Sequence, residues 1–371
     1  MLNNKEFKRC SLTVMDTSDP EIRFDEKGVS NHVYEYRDLE KRILLPLEQR
    51  KSQFDKIVNE IKGSGKGKTY DCLIGLSGGV DSSYIAYLAG EMGLNALIVH
   101  FDNGWNSELA VSNIKKLVTK YNFDLHTLVV DWEEFRDIQL SFFKASVPNI
   151  EVVTDHAIIA TLYRIADQYN IEYLISGSNI VTEGILPKAW GYDASDFKHI
   201  KGIQKIFGVK KFKTFPKLTL LNYFYYMLIK KVKKVNILNL IDYSKENAIK
   251  TLEAEVGWQY YGGKHYESVF TQFFQAYVLP KKFEFDKRKA HLSSLICSGQ
   301  ITREEALIEL ESPLYDQNIL ETHIEYIIKK WEISREEFDR IINLPPKKHE
   351  EYPTNKNIMD FALKVKRILK I

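Results

Sequence analysis

The period of apolar and polar positions switches repeatedly along the first two thirds of the chain. "DCLIGL" (71–76) is an apolar run, and Ser83 to Met92 then follows helical spacing. The alternation repeats with "ALIVHFD" before Glu108 to Tyr121, "LHTLVVD" before Glu133 to Ala145, and an Ala157 to Tyr169 helix before "EYLISGS". Strands that are apolar throughout and separated by helices belong to a parallel sheet covered on both faces. The pattern therefore predicts an α/β fold built on a doubly wound parallel sheet, with ligands beyond the carboxyl ends of its strands. Three such ends carry polar or turn-forming residues: Ser77, Phe101-Asp102-Asn103 and Gly177-Ser178-Asn179. From about Phe215 the chain turns aromatic and basic with little sign of further parallel strands, which predicts a mainly helical region closing over the sheet. Three parts are expected: an N-terminal segment (1–60), a nucleotide-binding domain (61–214) and a helical C-terminal region (215–371).

The first strand end is the most specific. Ser77-Gly78-Gly79-Val80-Asp81-Ser82 lies between a buried strand and a helix. Two glycines permit a tight turn with bare backbone N–H groups, and the helix adds the positive end of its dipole, so the loop suits an anion. A carboxylate beside a pyrophosphate calls for a cation between them, and Asp81 points to Mg²⁺. Upstream, "GSGKGKT" (63–69) imitates a P-loop, but Lys62 stands where the first glycine is required and the stretch precedes the strand; it reads as a solvated linker. Phe101 ends its strand where adenine can lie, and reads equally well as core. Asp155-His156 read as a helix cap and a partly buried imidazole.

The Ser77 to Ser82 string resembles the pyrophosphate-binding loop of the ATP pyrophosphatase (PP-loop) superfamily, which activates a carbonyl oxygen by adenylylation and lets a nucleophile displace AMP. The resemblance implies ATP and Mg²⁺, with Ser77, Gly78, Gly79, Val80, Asp81, Ser82, Phe101, Asp102, Gly177 and Ser178 around the nucleotide. It also implies an acidic residue at the later strand end, here Glu183, sharing the metal with Asp81.

Further along, "YYGGKHYES" (260–268) offers Lys264, His265 and Glu267 after a glycine bend, and "DKRKAHLSSLI" places Lys287 and Arg288 before an apolar helix. Lys264, Lys287 and Arg288 are candidates for neutralising phosphate charge, and His265 or Glu267 for taking a proton from an attacking amine. "KKVKK" (230–234) reads as a positive helical face. "GWQYYGGKHYESVFTQFFQAYVLPKKFEFDKRKAHLSSLICSGQITREEAL" (257–307), with "VMDTSDPEIRFDEKG" (14–28), resembles the N-acetyl sugar amidotransferase family. That family implies conversion of an acetamido group on a nucleotide-linked sugar, often a uronic acid, to an acetamidino group in bacterial surface-polysaccharide or flagellar-glycan synthesis. It also implies ammonia from a separate glutaminase and cyclase-like pair. Family members often carry two C-x-x-C pairs around "VMDTSDP"; here those four places hold Cys10, Thr13, Ser30 and Val33. Zinc needs about four Cys or His donors, so the segment is expected to hold none and to pack through Val14, Met15, Ile22 and Phe24. A tRNA-modifying PP-loop enzyme is the alternative.

Composition narrows the partners. The chain of 371 residues is 44% hydrophobic, and 52 basic against 50 acidic residues leave a net charge of +2, so wholesale nucleic-acid binding is not required. Cys10, Cys72 and Cys297 form no pair, which suits a reducing cytoplasm. "MLNNKEFKRC" lacks an apolar signal core, and "LTLLNYFYYMLI" (218–229) is too short to span a bilayer. A cytoplasmic enzyme without nucleic-acid partner or membrane span is expected.

Overall fold

Five short strands form one parallel sheet in the order β3-β2-β1-β4-β5, with β1 at Cys72–Gly75, β2 at Ala96–Asp102, β3 at Asp124–Val129, β4 at Tyr173–Ser176 and β5 at Lys233–Asn236. The computed structural model describes residues 6–261 and 267–356. β1 pairs with β2 from Cys72↔Ala96 to Gly75↔Val99, and with β4 through Leu73↔Leu174. The chain runs outward from β1 through β2 to β3, then returns to place β4 on the other side of β1. That reversal opens a crevice at the carboxyl ends of β1 and β4, where doubly wound sheets bind ligands.

Two helices, α1 Asn31–Ile43 and α2 Leu47–Gly65, precede the sheet, and α3 Val80–Glu91, α4 Glu108–Tyr121, α5 Trp132–Ala145 and α6 Val152–Gln168 follow its strands as the alternating periodicity predicts. Strand alternation divides the core. Ile74, Ile98 and Ile175 pack on the α3 side with Ile85, Ala89 and Leu252, while Leu73, Leu97 and Leu174 pack on the α6 side with Ala160 and Tyr163. A third cluster joins Met15 and Phe142 to Phe273, Trp331 and Phe338, so the N-terminal segment and the later helices share a core with α5. Gln139 ties this cluster together: its Oε1 accepts the indole N–H groups of Trp105 and Trp331, each at 3.1 Å.

Three expectations need correction. "KKVKK" is not a helical face; Lys233 and Lys234 open β5, an added parallel strand in register with Tyr173 and Leu174 of β4. β5 pairs on one side only, and lysines suit such an edge because they discourage further strand pairing. That short, charged pattern hides the strand from sequence periodicity. α6 begins five residues before Ala157, so Asp155 lies in its first turn rather than capping it. His156 is fully buried: its Nδ1–H donates to the Ala194 carbonyl at 2.7 Å and its Nε2 accepts from the Leu218 N–H at 3.1 Å. Finally, Gly63 to Gly65 form the end of α2 rather than linker.

Val14, Met15 and Ile22 are buried and Phe24 half-buried. Cys10, Thr13, Ser30 and Val33 are buried in the same segment, and the Ser30 N–H donates to Cys10 Sγ at 3.3 Å. No helix among the described residues is long and apolar enough to cross a membrane.

Candidate active site

The loop after β1 is shaped by glycine. Gly78 has φ +85°, and a Cβ there would lie 2.7 Å from the Ala110 carbonyl oxygen, so a side chain is excluded by both conformation and space. Two hydroxyls lock the turn: Ser77 Oγ accepts the Gly79 N–H at 3.2 Å and lies 3.0 Å from Ser82 Oγ, which donates to the Gly79 carbonyl. Gly79 is the N-cap of α3, so the loop stands at the positive end of the helix dipole. The Val80 N–H there donates to the Tyr261 hydroxyl at 3.2 Å.

Asp81 is held from two sides. Its Oδ1 accepts the Tyr243 hydroxyl and its Oδ2 the Thr182 hydroxyl, the latter at 3.4 Å. Burial, reinforced by Asp81, pushes the Tyr243 phenol far above its ordinary value and keeps it a donor. Gly177, at the end of β4, passes so close that a Cβ would lie 3.0 Å from the Asp81 carbonyl carbon. Beyond it Asn179 caps the short helix Ile180–Glu183, accepting the Thr182 N–H at 2.9 Å. That cap sets Glu183 on the wall of the crevice.

The opposite wall comes from later in the chain. His291, on helix Arg288–Cys297, donates Nδ1–H to the Thr182 carbonyl at 2.9 Å, leaving Nε2 to accept from Lys245 Nζ at 3.4 Å. Ser77, Gly79, Val80, Asp81, Ser82, Gly177, Ser178, Glu183 and Glu267 thus line one cavity of about 270 Å³ with Ser176, Lys245, Tyr260, Tyr261 and His291. The carboxylates of this lining are Asp81, Glu183 and Glu267, of which Asp81 and Glu183 are the pair expected from the sequence to share Mg²⁺. Among the described residues no three His, Cys, Asp or Glu gather into a metal-binding group. Two protein carboxylates, completed by phosphate oxygens and water, are what Mg²⁺ takes.

Other residues singled out from the sequence lie elsewhere. Gly78 shapes the loop from behind. Phe101 is core, 8% exposed and edge-on to Phe135. Asp102 accepts the Gly104 N–H at 2.8 Å and closes the turn after β2. Lys287 lies 3.8 Å from Glu151. Arg288 grips Asp286 at 2.9 Å and donates to the carbonyls of Glu309 and Ser312, which commits its guanidinium to holding the end of helix Arg303–Glu311. Lys264 and His265 lie outside the described residues. Sequence reasoning missed Tyr243, Lys245 and His291. Each follows no motif, and only the fold brings it to the loop.

Comparison with known proteins finds two matching segments. Residues 67–182 match the model of the thiamine biosynthesis protein (ThiI), and residues 267–366 match the LPS biosynthesis protein WbpG-like, C-terminal domain. The chain joins a PP-loop domain to a WbpG-like C-terminal domain. The floor of the cavity belongs to the PP-loop domain; Glu267 and His291 on its wall belong to the WbpG-like part. A curated relative, tRNA-specific 2-thiouridylase MnmA 2 of Fusobacterium nucleatum, is 30% identical over 112 residues, 28% of this chain and 32% of the relative. The chain therefore spans about a third of that relative's length. Among solved structures, NMN synthetase from Francisella tularensis aligns over 62% of this chain and 93% of its own at 17% identity and TM-score 0.31. NH3-dependent NAD synthetase from Campylobacter jejuni aligns over 57% and 84%, at 17% identity and TM-score 0.29.

Proposed function

We propose that the chain is an AMP-forming, ATP-dependent amidotransferase that converts the acetamido group of a nucleotide-linked N-acetyl sugar, of uronic acid type, to an acetamidino group for a surface polysaccharide. The observation that carries this reading is the composition of the cavity: a pyrophosphate loop forms its floor, and Glu267 and His291 from the WbpG-like part line it as well. An amide oxygen is a poor leaving group, so activation comes first. The acetamido oxygen attacks the α-phosphorus of ATP, the bond to the bridging oxygen breaks, and pyrophosphate leaves on the Ser77 to Ser82 amides. Ammonia then adds to the imidate carbon, the C–O bond to the adenylate breaks, AMP leaves, and the extra proton is lost to a base. Mg²⁺, held by Asp81 and Glu183, would supply charge neutralisation for the departing pyrophosphate. Lys245, oriented by His291, is placed to share that charge from the opposite wall. Glu267 lies beside the loop, with Oε1 3.6 Å from where a Gly79 Cβ would stand, and is our candidate proton acceptor.

Ammonia from a partner glutaminase and cyclase-like pair fits Cys72 and Cys297; burial raises the Cys10 pKa too, but hydrogen bonds from Ser30 and Thr13 outweigh it and lower the pKa of that fully buried thiol. Cys72 lies inside β1, where burial raises its pKa, and burial pushes Cys297 up to about 12. Neither is an activated thiol. The same observation disfavours the tRNA-modifying alternative, although the thiouridylase match keeps that reading worth testing. The decisive experiment incubates the purified chain with ATP, ammonium and candidate UDP-N-acetyl sugars, followed by mass spectrometry. AMP, pyrophosphate and a sugar with oxygen replaced by NH are expected. ADP and phosphate, or turnover only with tRNA, would overturn the reading.

A further inference from the structure

A patch that contributes no residue to the cavity goes unused by this chemistry. Helix Leu220–Phe224 continues as a wider turn through Tyr225–Ile229. Its inner side carries Tyr223 and Tyr226, packed on Tyr163 of α6 with ring centroids 5.8 and 5.5 Å apart. Its outer side carries Leu221, Phe224, Tyr225, Leu228 and Ile229, and Leu221, Leu228 and Ile229 are 83%, 68% and 69% exposed. No other stretch of the described residues exposes so many large apolar side chains in so few positions. A helix apolar on both sides is half-partnered, and contiguous exposed apolar surface marks an interaction site.

Charge identifies the partner. From Phe197 to Ile241 there are eleven lysines and no aspartate or glutamate. The whole chain is +2 and this stretch is +11, so the remainder is −9. Some lysines are paired, as Lys230 is with Asp167 at 2.6 Å and Lys210 with Glu133 at 2.6 Å. Lys213, Lys217, Lys231 and Lys234 are exposed around the apolar helix. Strand alternation puts Lys234 on the same sheet face as Val232, which packs in the core cluster that Tyr223 and Tyr226 cover. A second copy of this chain would set lysines against lysines. A nucleic acid would answer the lysines and leave the leucines in water. An anionic bilayer surface answers both, with aliphatic and aromatic side chains entering the headgroup boundary and lysines meeting lipid phosphates.

We infer that the Leu220 to Ile229 helix and its flanking lysines form an interfacial docking face that seats the protein on an anionic membrane surface. None of these residues lines the cavity described above. The face is also independent of the sugar chemistry proposed above.

The test is sedimentation of the full chain with phosphatidylcholine vesicles, with and without phosphatidylglycerol. Roughly tenfold more protein is expected to sediment with the anionic vesicles, with the excess lost in high salt. A Leu221→Gln/Leu228→Gln variant and a Lys231→Glu/Lys234→Glu variant should each lose that binding while keeping wild-type circular dichroism and ATP turnover. The lysine pair guards against misreading a folding defect in the first variant. Failure to sediment with anionic vesicles at low salt overturns the inference. So does binding that survives the leucine substitutions, because attraction then needs no apolar face. Retention by tRNA with the same indifference to the leucines would assign the lysines to RNA. A dimer that disperses on Leu228→Gln would assign the patch to a second copy.

Discussion

The two walls of the cavity were built by different routes. The floor occupies six consecutive residues, Ser77 to Ser82, and its form follows from a glycine with positive φ and two hydroxyls bonded across the turn. The facing wall takes Lys245 and His291 from positions far apart in the chain and holds them by contacts across it, such as His291 to the Thr182 carbonyl. A loop whose conformation is local can be read from its residues, because the chemistry and the geometry are adjacent. A wall assembled by packing has no such signature, since each residue alone is ordinary.

The largest expected effect strikes the floor. Asp81→Asn keeps an acceptor for the Tyr243 hydroxyl but removes the charge a metal needs, so AMP formation should fall more than about 100-fold with the fold intact. Near-normal turnover by a folded variant, followed as pyrophosphate release, would remove Asp81 from the site. The wall comes next. Lys245→Ala is expected to lower kcat by about tenfold to 100-fold with little change in KM for ATP, if the amine meets charge that develops as pyrophosphate leaves. Unchanged kcat would mean that the floor alone does the chemistry.

Legibility followed the same division. The sheet could be read because β1 and β2 are apolar on both faces, as strands buried between helices must be. β5 could not, because it is four residues long and its lysines look like a solvated face, whereas β3, the other edge, keeps enough apolar positions to be read. Glu183 is singled out by the superfamily resemblance alone, and the structure sets it on the cavity beyond the Asn179 cap. Arg288 read as a phosphate ligand on charge alone, and only the fold reveals the carbonyls of Glu309 and Ser312 that occupy it.

A backbone test sharpens the local side of the comparison. Gly78→Ala must hold φ +85° with its Cβ 2.7 Å from the Ala110 oxygen, so about 1–3 kcal/mol of stability should be lost. Urea unfolding would measure it. A variant as stable as the parent would show that the turn relaxes freely and that its shape is not set by this glycine.

The smallest expected effect concerns how the far end of the chain is pinned, and it depends on pH. His199 Nδ1–H donates to the Pro353 carbonyl at 3.1 Å, so its Nε2 is free to accept from His349 Nδ1–H at 2.9 Å. His349 Nε2 in turn accepts the Asn149 N–H at 3.2 Å. Every position in this chain of bonds is filled only if both imidazoles are neutral, and a proton added to His349 would face a donor. Burial accordingly lowers the His349 pKa from 6.5 to about 3, with His199 adding to the shift. In the unfolded chain His349 takes up a proton as pH falls below about 6.5, while the folded chain does not until about 3. The folded state's advantage is therefore complete above the unfolded pKa and is lost progressively as pH falls through that window. Each pH step of one there costs about 1.4 kcal/mol from this group. His349→Gln, which cannot titrate, should be less stable at neutral pH yet show a shallower decline in urea midpoint between pH 6.5 and 5. An equal slope in both proteins would show that His349 is not the titrating group, and that the His199 to Asn149 chain of bonds plays no part in the acid sensitivity of this end of the fold.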